Sequence, residues 1–476
     1  MIRRAMAIML AGILLSSTAT AQDGSVWATK KSGWLLLGPE QRAEVFNFAE
    51  QYKAYLRVAK SALTSTREVN RLARAAGFAD FNDPSQVKAG ARLIINGRDR
   101  ALILVVIGSE PVTAGSRVVG THHDSPHIGL KARPFVLAPG GIVLMKTIYY
   151  GGIKKYQWAN EPLALIGRID TTDGRTIDVS IGLNANDPVF VIPDNAPHSD
   201  TELRNRTYAN VLTGEELNPV AGSIPGQNSS VIAEVIKQLT AMYKIQEEDL
   251  VSAELQLVPA APPADVGIDR GLVGAYGQDD RLSSYCAARA MIDLRGTPRY
   301  TAMAYLSNFE EVGSVNNTGA ASEFLNTTYA RLIAAQRGGQ YSDLDLRTAL
   351  RHSQVVSADT NDGINPVFPQ TSEATNAARL GYGVTIKSYR GGFNANSEFT
   401  ARIRRVLDQN SIPWQTQTPK VEVGGGGTIG GFLSQQDMEV IDLGVPLLSM
   451  HATFEMSSKV DVWNFYRFML AFYQSQ

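Results

Sequence analysis

Cysteine is nearly absent from this 476-residue chain: Cys286 stands alone. One cysteine excludes an intrachain disulfide and any metal site built on several thiolates, so a metal would have to be held by His, Asp and Glu. Histidine is also scarce, with six in all. Neither sign of charge is in excess, since 45 Lys and Arg face 46 Asp and Glu. That balance argues against nucleic acid or an anionic membrane as a partner. Hydrophobic runs long enough to cross a bilayer are missing too; Ala5 to Leu15 is too short to span one comfortably. There is no internal repeat and no long low-complexity segment. The four-glycine run at 424–427 reads as a tight loop.

The first 21 residues have the pattern of a secretory leader. Arg3 and Arg4 precede the apolar run, and Ala19-Thr20-Ala21 offers small residues for cleavage. The expected location is therefore periplasmic or secreted. Losing the two arginines takes the net charge from −1 to −3. What remains is long enough for two domains and a large core.

Apolar residues recur at helical spacing from Glu40, and Gly77 closes the second of two expected helices. Ala101 to Gly108 is continuously apolar, as in a strand buried on both faces, and Val118 to His122 is expected beside it. From about 132 to 265 the texture is β-rich. Leu163 to Asp170 and Ile177 to Leu183 flank a Thr-Asp-Gly-Arg turn as a hairpin, and one helix, Val231 to Tyr243, follows. A Pro-rich boundary, Ala260 to Ala264, ends the segment. Afterwards helices and strands alternate: helices over Leu282 to Leu294, Ala320 to Gln336, Phe399 to Leu407 and Val462 to Tyr473, and strands over Thr301 to Leu306, Gln354 to Val356 and Pro446 to Met450. The expected class is α/β, with 22–131 and 266–476 forming one domain and 132–265 inserted as a β-rich second.

Three histidines crowd the turn Thr121-His122-His123-Asp124-Ser125-Pro126-His127. Residues i and i+2 of a strand face the same side, so His122 and Asp124 can meet one object, or Asp124 can steady the ring of a metal-bound His122. Four more acidic or histidine clusters fall near strand ends: Asp279-Asp280-Arg281, Glu310-Glu311, Asp359 and His451. Each alone reads equally as a cap or a loop charge. Gathered at one end of one sheet, they would suit two divalent metals sharing a carboxylate, with a glutamate beside them to take a proton from water.

These segments resemble a known family. His122-His123-Asp124-Ser125-Pro126 is similar to its His-Thr-Asp-Ser-Pro, and Glu310-Glu311-Val312-Gly313-Ser314 to its Glu-Glu-Val/Ile-Gly-Ser. Ser357-Ala358-Asp359, Gly426-Gly427-Thr428-Ile429-Gly430 and Leu448-Ser449-Met450-His451 match in the same order. The family is that of the aspartyl and vacuolar aminopeptidases, and the likeness runs from about Glu40 to Tyr473. It implies an α/β/α sandwich of the zinc-peptidase kind. It further implies two Zn2+ per subunit, replaceable by Co2+ or Mn2+, in an aminopeptidase acting on peptides. By position, His122, Asp279 and Asp359 would hold one metal, and Asp279, Glu311 and His451 the other. Glu310 would be the base and Asp124 the orienting carboxylate. His198 would reach a neighbouring subunit's site in a homo-oligomer, a dodecamer by the same likeness. Lys387, Gly426 and Thr428 would lie near substrate. His123, His127 and His352 read as loop or surface residues.

The chain also departs from the pattern. Asn308-Phe309 precedes the glutamate pair, Asp362 and Asn365 stand where the family has histidines, and Ala452-Thr453-Phe454-Glu455 replaces Ser-Ile-Arg-Glu. The missing Arg and His bear on selectivity for acidic N-terminal residues. Two other functions fit the same sequence: a related zinc peptidase acting as a dipeptidase or deblocking enzyme, and an exported binding or shell protein without catalysis.

Overall fold

The computed structural model describes Trp27 and residues 30–388, 394–421 and 426–476. The expected leader, 1–21, lies outside the described residues. A nine-stranded sheet runs through the centre, in the order Ala79–Asp80, Arg92–Gly97, Ala101–Val106, Thr301–Ser307, Ser116–His122, Gln354–Ala358, Glu439–Gly444, Val384–Lys387 and Trp414–Gln417. Its strands are apolar on both faces because helices cover both. Leu102, Leu104 and Val106 face one core, with the helices Pro39–Val58, Gln278–Asp293 and Lys459–Tyr473. Ile103, Val105 and Ile107 face the other, with Phe324–Gln336 and Asp343–Arg351. A period of two divides one apolar run between two cores, and the result is an α/β/α sandwich.

One sequence expectation about this sheet and two about its covering helices change. Ala101–Val106 and Ser116–His122 are not neighbours, because Thr301–Ser307 lies between them, antiparallel to the first and parallel to the second. A buried strand takes its partners from tertiary packing, which proximity in sequence does not reveal. Parallel pairing sets Ser307 beside His122 and Ser357 beside Gly120, so three chain exits open at one edge. The helix expected from Ala320 begins later, at Phe324. The helix expected from Leu282 begins earlier, at Gln278, with Asp279 and Asp280 held in non-helical conformations in its first turn.

A second, six-stranded sheet is antiparallel where its strands pair, in the order Thr176–Ile181, Leu163–Asp170, Ala253–Pro259, His127–Leu137, Val143–Tyr150 and Val220–Gly222. It has its own core around Trp158, Leu165 and Leu257. The expected hairpin is present, pairing Leu165 with Ile181 and Asp170 with Thr176. A third sheet orders Ala264–Val266, Leu272–Ala275, Glu455–Ser458, Pro446–Leu448 and Asn361–Asp362. Among the described residues no helix is long and apolar enough to cross a membrane.

Candidate metal centre and active site

Two sheets, not one, build the site. The nine-stranded sheet delivers His122 at the last residue of its strand, Glu310 and Glu311 in the 3-10 turn after Thr301–Ser307, and Asp359 just past Gln354–Ala358. The third sheet delivers the others. Asp279 follows Leu272–Ala275, and His451 lies between Pro446–Leu448 and Glu455–Ser458. The sequence placed all five clusters on one sheet, because short strands such as Leu272–Ala275 carry too few residues to declare a separate sheet.

Asp279 stands between the two histidines. Its Oδ1 is 3.4 Å from His122 Nε2, and its Oδ2 is 3.2 Å from His451 Nε2. Around His122 Nε2 also lie Asp359 Oδ1 at 3.7 Å and Glu310 Oε2 at 3.8 Å. Around His451 Nε2 lies Glu311 Oε2 at 3.3 Å. Ligand atoms converge in two overlapping groups, His122 with Asp280 and Asp359, and His122 with Asp279 and Glu311. Asp280 was not among the expected ligands. Its Oδ1 accepts the hydroxyl of Ser283, while its Oδ2 is buried without a hydrogen-bond partner.

Asp279 Oδ1 and Glu311 Oε1 are buried and unpartnered as well. Burying a carboxylate oxygen with no donor is costly, and three together define a place for a cation. Carboxylate oxygens plus two imidazole nitrogens are a donor set that suits zinc without thiolates. The residues fit the metal.

Both imidazoles are held in the form that a metal requires. His122 Nδ1 is 3.1 Å from the backbone oxygen of Asp124 and 3.4 Å from its Oδ1. His451 Nδ1 is 2.8 Å from the carbonyl of Gly152. Oxygens of these kinds only accept, so each Nδ1 carries a proton, and Nε2, which faces the carboxylates, is the nitrogen left for a metal once its own proton is displaced. Asp124 itself accepts from the backbone N–H of Glu310 at 3.3 Å and of Glu311 at 3.2 Å. Glu455 performs a similar task from the other side. Its carboxylate accepts from the N–H of Gln278, of Asp279 at 3.1 Å and of His451 at 2.7 Å. Glu455 was seen in the sequence only as part of a departing motif, since nothing local shows a carboxylate clasping backbone far away.

Burial dominates the electrostatics. It pushes the Glu310 carboxyl up to about 7, with Asp359 and Asp279 adding to the rise and His122 opposing it. Glu311 and Asp280 are raised for the same reason. On His451 burial works downward, but the hydrogen bond to Asp279 and the charge of Glu311 outweigh it and lift the ring to about 11. The metal-free cluster therefore carries protons where a divalent ion would carry the charge.

The remaining expected residues divide. Lys387 is buried, donates to the carbonyl of Thr360 at 2.8 Å and lies 3.7 Å from Asp359 Oδ2, so it steadies the ligand side of the site. Thr428 donates to Asp442 at 2.8 Å and receives Ser357, two residues before Asp359. Gly426 is exposed in the adjoining loop. His198 is exposed in a short turn, Pro197–Ser199, and among the described residues no hydrogen bond or ion pair ties it to the cluster. His123 is fully buried, between Ser65 and the carbonyl of Arg100. His127 stacks on Tyr150, and His352 is exposed.

An α/β/α sandwich that gathers two histidines about a shared aspartate, with a glutamate pair alongside, has the donor set of a metallohydrolase. Residues 55–473 match the family described as aminopeptidase I zinc metalloprotease (M18). A probable M18 family aminopeptidase 1 of Borrelia garinii is 36% identical over 456 residues, 94% of this chain and 99% of that one. The crystal structure of an M18 aminopeptidase from Thermotoga maritima is 35% identical, covers 94% of this chain and 99% of its own, and superposes with a TM-score of 0.88. The mApe1 dodecamer of S. cerevisiae shares the fold, at 20% identity, 90% and 96% coverage and a TM-score of 0.74. The chain belongs to the M18 family and is a zinc-dependent metalloaminopeptidase.

Proposed function

We propose that this chain is an exported aminopeptidase that holds two zinc ions per subunit and uses Glu310 as its general base. The observation that carries the reading is the place of Glu310. Its carboxylate lies beside the His122 group, 3.8 Å from Nε2, and its raised pKa suits proton transfer near neutral pH. His122, Asp279 and Asp359 would hold one ion, with Asp280 within reach, and Asp279, Glu311 and His451 would hold the other. Bound zinc supplies Lewis acidity, polarising the scissile carbonyl and acidifying water. Glu310 takes the proton from the attacking water and returns it to the departing amine. Asp124 keeps the His122 ring in register throughout.

The assembly is read from exposed apolar residues in the β-rich segment: Ile148, Tyr149, Tyr208, Ile224 and Met242. They support a homo-oligomer like the yeast dodecamer, with exposed His198 reaching the neighbour's site. The leader motif supports a periplasmic or secreted location. Zinc analysis of the purified chain, with turnover of a panel of aminoacyl chromogenic substrates, tests the function. Two ions and release of N-terminal residues are expected. Two bound ions with no turnover on any substrate of the panel would leave the dipeptidase, deblocking and binding-protein readings.

A further inference from the structure

The end of one strand in the six-stranded sheet reaches into the metal centre. Val143–Tyr150 is edged by exposed Ile148 and Tyr149, and then the chain turns inward. Tyr150 donates its hydroxyl to Asp124 Oδ2 at 2.7 Å, the carboxylate that steadies His122. Its ring is fixed on both sides, stacked on His127 with centroids 4.4 Å apart and meeting Phe309 edge-on at 6.1 Å. Two residues later the Gly152 carbonyl accepts a hydrogen bond from His451 Nδ1–H. Between them Gly151 has φ +74°, and a Cβ there would stand 3.1 Å from Pro126 and 3.3 Å from the Cβ of Glu311. Only a glycine lets the backbone pass that close to a ligand.

From this geometry we infer that Tyr150 is a positioning residue for the His122 half of the metal centre, acting through Asp124, while the Gly152 carbonyl positions the His451 half. The β-rich segment is thus part of the catalytic apparatus as well as a surface. Asp124 has two oxygens to place. Glu310 N–H and the His122 ring share Oδ1, while Glu311 N–H and the phenol share Oδ2. Without the phenol, Oδ2 keeps one longer bond and the carboxylate can rotate, carrying the His122 ring with it. Partners behind a ligand typically tune metal affinity by about 10- to 100-fold.

The inference rests on the two-zinc reading, and the test separates them. Zinc affinity of wild type and Tyr150→Phe is measured by competition with a chromophoric chelator, which resolves two steps, alongside the Tm of each metal-free protein. Phenylalanine keeps the stack and removes only the hydroxyl. One step weakened about 10- to 100-fold, the other unchanged and an unaltered metal-free Tm is the expected result. Identical two-step curves would overturn the inference and leave the two-zinc reading standing. A wild type that binds no zinc would remove that reading itself. Should Tyr150→Phe lower the metal-free Tm, the same substitution is made on Asp124→Asn. A cost as large there as in wild type means that Tyr150 does not act through Asp124, and the inference fails. A vanishing cost upholds it.

Discussion

On the two-zinc reading, the two halves of the metal centre use the same ligand types in opposite surroundings. His122 ends a central strand, is 3% exposed and has its ring steadied by a buried carboxylate. His451 lies outside any strand with φ 63°, is 31% exposed, and is held by a backbone carbonyl and by Glu455 on its N–H. The first half inherits its rigidity from parallel strands packed on both faces. The second is assembled from loops and depends on a few hydrogen bonds. Rigidity and exposure are divided between the halves.

The largest expected effect tests whether both halves serve one reaction. Glu310→Gln should lower turnover by about two to four decades, the range for loss of a general base, while both ions stay bound. Loss of an ion in that variant would make Glu310 a ligand and merge it with the His122 half. Next comes the clasp. Glu455→Gln should weaken zinc about 10- to 100-fold, because an amide has one acceptor oxygen where the carboxylate used two. The loss should fall mainly on the His451 half, and two steps weakened equally in a chelator titration would erase the contrast.

A smaller effect is expected from graded metal removal in the wild type. The exposed half should release its ion first, at a chelator level about tenfold below the other, with activity lost at the first step. Loss of both ions in one step would show that the shared Asp279 couples the halves more strongly than their burial separates them.

The gentlest test is pH. In the metal-free chain His451 is lifted to about 11, above its ordinary 6.5, so its share of stability is fully present below about 6.5 and fades as pH rises through 11. Zinc competes with those protons and binds more tightly as pH climbs. The Tm gap between loaded and metal-free protein should therefore widen from pH 6.5 to pH 9. A gap that narrows over that range would place the proton elsewhere.

Much of this was legible in the order of residues. Continuous apolar runs announced strands covered on both faces, because a sheet sandwiched between helices has no polar side. Gly77 marked a helix end, and its φ of +87° is the conformation that a glycine supplies there. Clusters near strand ends offered His122, Asp279, Asp280, Glu310, Glu311, Asp359 and His451, since ligand chemistry needs particular side chains that can be read one at a time, and the family resemblance chose among them. What supports them could not be read that way. The sequence alone determined which groups were available and which segments would bury themselves, because hydrophobic periodicity and side-chain chemistry are local. Only the tertiary structure decided that Thr301–Ser307 would divide two strands, that the third sheet would carry Asp279 and His451, and that Tyr150 and Glu455 would stand behind the ligands. The His451 ring and the Gly152 carbonyl are 299 residues apart in the chain. A hydrogen bond across that distance leaves no local pattern, because it exists only after separately folded segments have packed together.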